Sequence, residues 1–212
     1  SGPTVGRVGN NADACAVLWA AGAWDAMPDA VRAVLSEDVE VAEGLAAQNQ
    51  IVGSNRVSLD AMVAASGGGV IVDDGLEGDV AEAAARVLAA MREAEGPSAL
   101  IFGGETTVKI KGDGLGGRNQ ELALRVALGA QDVPGDWVFL SGGTDGRDGP
   151  TDAAGGIVDG GTVARMRAAG QEPEAVLANN DSFHGLQAAE DLLMCGGTGT
   201  NVADVQLFLR RS

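Results

Sequence analysis

Arg118 stands directly after a glycine-rich stretch that includes Gly112, Gly114, Gly116 and Gly117, and directly before a run of helix-forming residues. Glycine amides carry no side chain to shield them, so at a helix N-terminus they form a ready anion site. A cation in that first turn is opposed by the positive end of the helix dipole and gains nothing from the helix itself. A bound anion would reverse the sign, and a guanidinium fork grips two phosphate oxygens at once and spreads charge from a transferring phosphoryl group. The bland alternative is a solvated surface arginine. Gly112, Gly114 and Gly117 also spell GxGxxG between a strand and a helix, the setting of a dinucleotide-binding turn. Its ribose-binding acid, about 20 residues on, would then be Asp132 or Asp136, which Pro134-Gly135 places in a loop.

A second stretch, Ser141 to Asp152, sets Asp145, Asp148 and Asp152 in a glycine-rich loop after a strand. Loops leaving strand ends in α/β sheets are where ligands bind. The spacing misses the alternate positions of an EF-hand, but it suits Mg²⁺, which takes one or two carboxylates and completes its shell with water and nucleotide phosphates. The alternative is that Asp-Gly pairs are simply good turns.

Other boundaries offer glycine amides or small hydrogen-bonding side chains: Ser54-Asn55, Gly103-Gly104-Glu105-Thr106, Asn119, Gly142-Gly143-Thr144, Asn180-Asp181-Ser182, and Thr198-Gly199-Thr200-Asn201. Each is an ordinary cap or turn by itself, and together they could converge on one nucleotide-binding or phosphate-binding cleft. His184, the single histidine, falls inside a helical run and reads as structural. Cys15 and Cys195 form no CxxC pair, so no zinc set is available.

These residues need elements to hold them. Asn11 to Trp24 reads as a buried helix, Pro28-Asp29 opens a second, and Glu37 to Glu43 reads as a surface connection. Ile51-Val52 is a short strand candidate, Ser54 or Asn55 caps a helix to about Ala65, and Gly69 to Val72 resembles a buried strand. Asp79 caps the clearest helix, with Val80, Ala83, Ala84, Val87, Leu88 and Met91 at steps of three and four. Two strands, Ala99 to Phe102 and Thr106 to Lys111, suggest a hairpin. They lead to a helix from Asn119 to Leu128 with Gly129 as its C′ residue, then a strand from Trp137 to Leu140. Helices from about Thr162, from Pro173 and from Asp181 to Met194 precede a last strand, Val205 to Leu209. The alternation predicts an α/β fold with a layered mixed sheet flanked by helices.

With 212 residues the chain is one large domain or two small ones, taking ~100–200 residues per domain. We expect a helical segment with short strands over residues 1–97 and a second domain over 98–212. Thirty acidic residues against fourteen basic ones give a formal charge of −16, which argues against nucleic acid or an anionic membrane as partner. An anionic substrate must therefore meet a local positive pocket. Lys109 and Lys111, the only lysines, share a face of the expected strand close to Arg118. The apolar run near Ala14 to Trp24 is too short to span a bilayer, no basic leader precedes a signal core, and a cytoplasmic location is expected.

Taken in order, GGETTV from Gly103, GLGGRNQELAL from Gly114, SGGTDGRDGPTDAAGGIVDG from Ser141, NND from Asn179 and GTGTNVADV from Gly197 resemble the C-terminal region of class II glycerate kinases, known as the multi-organism fragment rich in leucine. SGPT at Ser1, IVGSN from Ile51 and LEGDVAEAA from Leu76 resemble the segment before it. The resemblance implies the C-terminal domain of a two-domain enzyme, a glycerate 2-kinase that moves the γ-phosphoryl of ATP, with Mg²⁺, to D-glycerate. It also implies an N-terminal Rossmann-like domain bearing a catalytic lysine, an active site in the cleft between the domains, and a catalytic role for Arg118. The isolated chain would then be inactive without its other half. A homodimer is one candidate assembly. The runner-up is an NAD(P)-dependent hydroxypyruvate reductase, a label that related proteins often carry, with the GxGxxG string as its support. Cys195 and Gly197 stand where members more often have threonine and proline, and Ala203 where asparagine is common.

Overall fold

The computed structural model describes residues 9–37 and 48–211. The chain divides into two compact units, residues 1–52 and 53–212. In the first, α1 (Asn11–Ala20) and α2 (Asp29–Ser36) form a small helical pair. Asn10 and Asp13 make a capping box at the start of α1, and the Asn11 amide donates to the carbonyls of Val34 and Glu37. No residue of α1 is buried and the helix stops at Ala20, short of the buried helix expected to Trp24. Ile51 and Val52 form no strand and are 83% and 94% exposed. Most of the acidic connection after Glu37 lies outside the described residues.

The second unit runs α3 (Asn55–Ser66), β1 (Val70–Asp73), β2 (Gly78–Asp79), α4 (Val80–Glu93), β3 (Ser98–Gly104), β4 (Thr106–Thr107), α5 (Arg118–Gly129), β5 (Trp137–Gly143) and β6 (Gly155–Asp159). It continues through α6 (Thr162–Ala168), α7 (Pro173–Ala178), α8 (Ser182–Ala188), β7 (Leu192–Leu193) and β8 (Asp204–Arg210). Six strands form one sheet in the order β1-β3-β8-β5-β6-β7. β1 and β3 are parallel, while β8 lies antiparallel between β3 and β5 and makes the sheet mixed.

Alternation along the strands assigns the two faces. Leu100 and Phe102 of β3, Phe139 of β5 and Phe208 of β8 join one core with Val80, Val87 and Met91 of α4 and Leu122 and Val126 of α5. A Cβ on Gly103 would meet Leu59 of α3, which covers the other face of β3. Full burial of each large apolar side chain contributes ~1.5–3 kcal/mol, so α4 and β3 are bound into one core. The division expected at residues 97 and 98 falls between them, inside this unit. Among the described residues no helix is long and apolar enough to cross a membrane.

Several elements differ from expectation. The hairpin is absent: β4 pairs in parallel with β2 in a separate two-stranded sheet, and residues 108–111 are irregular, so Lys109 and Lys111 share no strand face. Gly104, at φ +145°, turns the chain out of the main sheet, and a Cβ there would lie 2.6 Å from the Leu76 backbone. β6 lies in a stretch for which the sequence predicts no element, since Gly155 and Gly156 carry no strand signal. Glycine is required there because a Cβ on Gly155 would stand 1.9 Å from the Ser141 carbonyl oxygen. The helix expected to Met194 ends at Ala188, and Leu192 pairs with Gly156 instead. Gly129 closes α5 within the helix, with Ala130 at the C-cap.

Candidate active site

β3 and β5 end, and β8 begins, at one edge of the sheet, and α5 starts beside them. Arg118 occupies the first turn of α5, with Gly117 as N-cap. Its Nε lies 2.6 Å from Asp204 Oδ2 and its Nη2 lies 2.9 Å from Asp204 Oδ1, a side-on bidentate pair. Nη2 also lies 3.2 Å from Glu105 Oε1. Donation of these hydrogen bonds to Asp204, together with its negative charge, holds the guanidinium still further above its already high pKa. Arg118 is therefore no free surface cation: the anion that offsets the unfavourable helix dipole is a carboxylate of the same chain. Nη1 has no partner among the described residues.

The N-terminus of α5 likewise carries an internal anion. Asn119 N–H and Gln120 N–H donate to the two oxygens of Asp148, at 3.1 and 2.8 Å. Burial pushes the Asp148 carboxyl above its usual range, even though those two amide bonds favour its charged form. A buried network backs it: Ser141 Oγ donates to Asn119 Oδ1 at 2.6 Å, and Gln120 Nε2 donates to Thr151 Oγ1 at 2.9 Å.

The glycine string packs against its own chain. A Cβ on Gly112 would stand 2.4 Å from the Asn179 carbonyl oxygen, one on Gly114 2.5 Å from Asp181 Cβ, and one on Gly116 2.2 Å from Ser182 Oγ. On Gly117 it would stand 2.3 Å from Asp148 Cγ. Consecutive side chains of that same segment also hold the loop. Asn180 Oδ1 accepts from Lys111 N and Gly112 N, Asn179 Oδ1 from Asp113 N, and Asp181 Oδ1 from Leu115 N. Close approach of residues 179–182 and of Asp148 explains these glycines, and ten irregular residues separate β4 from α5 where a dinucleotide-binding turn has a strand running straight into a helix. The N–H groups of Gly116, Gly117 and Arg118 carry no hydrogen bond from the described residues.

Those three residues line a cavity of about 680 Å³ together with Glu105, Thr106, Gly114, Asp148 and Asn180. Glu77 and Glu121 also face it, so among the described residues Arg118 is its one cation amid four carboxylates. The Ser54 hydroxyl caps α3, accepting from Val57 N–H. Asn55 Nδ2 donates to the carbonyls of Val202 and Asp204 at 2.9 and 2.7 Å. Thr144 clasps the same turn, donating to Ala203 O and accepting from Val202 N–H, and Thr198 Oγ1 donates to Thr144 O. Asn55, Thr144, Thr198 and Asn201 thus gather around the turn that precedes Asp204, beside the cavity and not on its wall. Gly103, Gly142 and Gly143 are packing glycines, close to Leu59, Leu193 and the Arg147 carbonyl. Gly199 and Thr200 lie in the exposed loop before that turn.

The three aspartates expected to hold Mg²⁺ are not brought together. Asp148 has both oxygens on α5 amides, Asp145 Oδ1 accepts from Arg147 N–H, and exposed Asp152 lies near Phe183 and Leu192. Among the described residues no group of three or more His, Cys, Asp or Glu could hold a metal ion. His184 Nδ1 pairs with Asp181 Oδ1 at 2.7 Å and lies outside the cavity wall, in keeping with a structural role. Asp204 and Glu121 escaped the sequence reading. Asp204 had a signal: it shares the inward face of β8 with Gln206 and Phe208, and a carboxylate on a buried face needs a cation.

Residues 98–204 match the model of the MOFRL family. A D-glycerate 2-kinase of Thermotoga maritima is 55% identical over 113 residues, covering 53% of this chain and 27% of that protein. A glycerate 2-kinase of Pyrococcus horikoshii is 36% identical over 228 residues, covering 99% of this chain and 51% of that one. A crystal structure of glycerate kinase from Thermotoga maritima superposes with a TM-score of 0.76 at 38% identity, covering 95% of this chain and 50% of that chain. The chain spans about half or less of the length of these relatives. A mixed sheet that sets Arg118 and its amides at one strand edge, and a family match across those same residues, establish that this chain belongs to the MOFRL family.

Proposed function

We propose that the protein to which this chain belongs transfers the γ-phosphoryl of MgATP to D-glycerate, giving 2-phosphoglycerate and ADP, and that this chain supplies the arginine side of the cleft. One observation carries the reading: among the described residues, Arg118 Nη1 and the N–H groups of Gly116, Gly117 and Arg118 are donors without a partner at one cavity. In phosphoryl transfer the glycerate hydroxyl oxygen bonds to the γ-phosphorus as the bond to the β,γ-bridging oxygen breaks, ADP leaves, and the hydroxyl proton is released to solvent. Catalysis is then mostly positioning and charge stabilisation, which fixed N–H donors and a guanidinium can supply.

The carboxylates on the cavity wall oppose a polyphosphate, so Arg118 alone cannot hold it. Further positive charge comes with the magnesium of the nucleotide, and on this reading from the lysine that the family resemblance assigns to a preceding Rossmann-like domain. Asp145, Asp148 and Asp152 do not fit a shared magnesium site, and the metal is treated only as part of the nucleotide substrate. On this reading the isolated chain is inactive.

Intact protein incubated with D-glycerate and ATP should form ADP and 2-phosphoglycerate, and should not oxidise NAD(P)H in the presence of hydroxypyruvate. NAD(P)H oxidation without ADP formation would replace the kinase with the reductase.

A further inference from the structure

We propose that Asp204 is the positioning residue of this site, acting through Arg118, and that the turn before it is a rigid mount built for that purpose. The inference rests on the kinase reading and adds to it the residue that aims the arginine. An arginine side chain has five N–H donors in a fixed plane. Asp204 takes Nε–H and one proton of Nη2, Glu105 Oε1 stands 3.2 Å from Nη2 as an ion pair, and Nη1 has no partner among the described residues. Two bonds to one carboxylate fix both the position and the plane of the guanidinium, so Asp204 determines which edge faces the cavity. Asp204 itself is only 1% exposed, whereas the Arg118 side chain is 33% exposed. The buried member is the fixed one.

The mount is over-determined. Ala203 holds φ +66°, a left-handed conformation unfavourable for a residue with a Cβ. Its carbonyl accepts from Thr144 N–H and Thr144 Oγ1, and the Asn55 amide bridges the carbonyls on either side, Val202 and Asp204. Strain persists only where surrounding bonds enforce it, and here they enforce the orientation of the next side chain. Asp204 also joins the antiparallel ladders of β8, opposite Gly104 of β3 and Gly143 of β5. Its backbone is thus tied to the strands on either side, and Arg118, at the start of a helix, is aimed by its carboxylate.

The test is a double-mutant cycle on turnover in the intact protein. Asp204→Asn keeps the side-chain shape but replaces one accepting oxygen with a donor and removes the charge. We expect kcat to fall on the order of 10²-fold, as misplacement of a reacting group does, with KM for ATP changed less. In an Arg118→Ala background the same change should cost nothing further. Full kcat in Asp204→Asn, or losses that multiply independently, would overturn the proposal.

A second measurement needs no variant and does not depend on activity. In ¹⁵N-arginine spectra of the unaltered protein, Arg118 Nε–H should exchange with solvent at least about 10-fold more slowly than Nε–H of exposed Arg147. Equal exchange would contradict a fixed mount. If the unaltered protein transfers no phosphoryl group to glycerate, the kinase reading fails, and these spectra alone then decide the positioning claim.

Discussion

Arg118 and Asp204 lie 86 residues apart and meet side-on, guanidinium plane against carboxylate, at 2.6 and 2.9 Å. The contact joins the start of α5 to the start of β8, and so ties the loop that offers amides to the strand that anchors the sheet. Removing the arginine leaves Asp204 buried without its cation. Arg118→Ala should therefore destabilise the fold by roughly 2–4 kcal/mol, less than the ~3–5 kcal/mol of a wholly buried pair because the arginine is partly exposed. Urea unfolding of the intact protein checks this, and an unchanged midpoint would show that the ion pair contributes nothing.

Asp148 gives a pH signature. Burial raises its folded-state pKa above the unfolded value, so its contribution to stability is present below the ordinary carboxylate range and is lost as pH rises through the raised value. Asp148→Asn cannot titrate. The stability of the unaltered protein relative to that variant should fall as pH rises from about 4 towards neutrality. Urea midpoints at several pH values measure the difference, and a relative stability that rises with pH would contradict the burial argument.

The Asn180 side chain holds the glycine loop at Lys111 N–H and Gly112 N–H and donates to Glu121 Oε2 at 3.1 Å. Asn180 also sits at φ 52°, which asparagine tolerates better than alanine. Asn180→Ala should cost about 2–3 kcal/mol. Amide exchange at Lys111 and Gly112 should quicken together, and unchanged exchange there would mean that the loop is held by other groups.

Ala203 offers the opposite case. Its left-handed backbone costs alanine roughly 1 kcal/mol, and asparagine adopts that region more readily. Ala203→Asn should raise stability by about 0.5–1 kcal/mol. A lower urea midpoint would show that the side chain, not the backbone, decides this position.

Much of this architecture is legible in the residues. The Asp79 cap and the apolar steps from Val80 to Met91 define α4 before any coordinates, because a 3.6-residue period has one reading. β6 is hidden because Gly155 and Gly156 are chosen for close approach to β5 and α8, a tertiary demand with no local signature. The same ambiguity touches the site. Gly112, Gly114 and Gly117 look like places where a ligand meets bare backbone, yet residues 179–182 and Asp148 fill that space. Asp145, Asp148 and Asp152 look alike as Asp-Gly and Asp-Ala turns, and only the fold reveals that Asp148 caps a helix. Arg118 was legible as an arginine in want of an anion. Its partner, 86 residues away, was not.

The most direct test is a crystal structure of the intact protein with magnesium and a non-hydrolysable ATP analogue. Phosphate oxygens should lie within hydrogen-bonding reach of Arg118 Nη1 and of the Gly116 to Arg118 amides, with the Arg118–Asp204 pair unbroken. An analogue bound elsewhere, with the cavity beside Arg118 filled only by solvent, would contradict this arrangement.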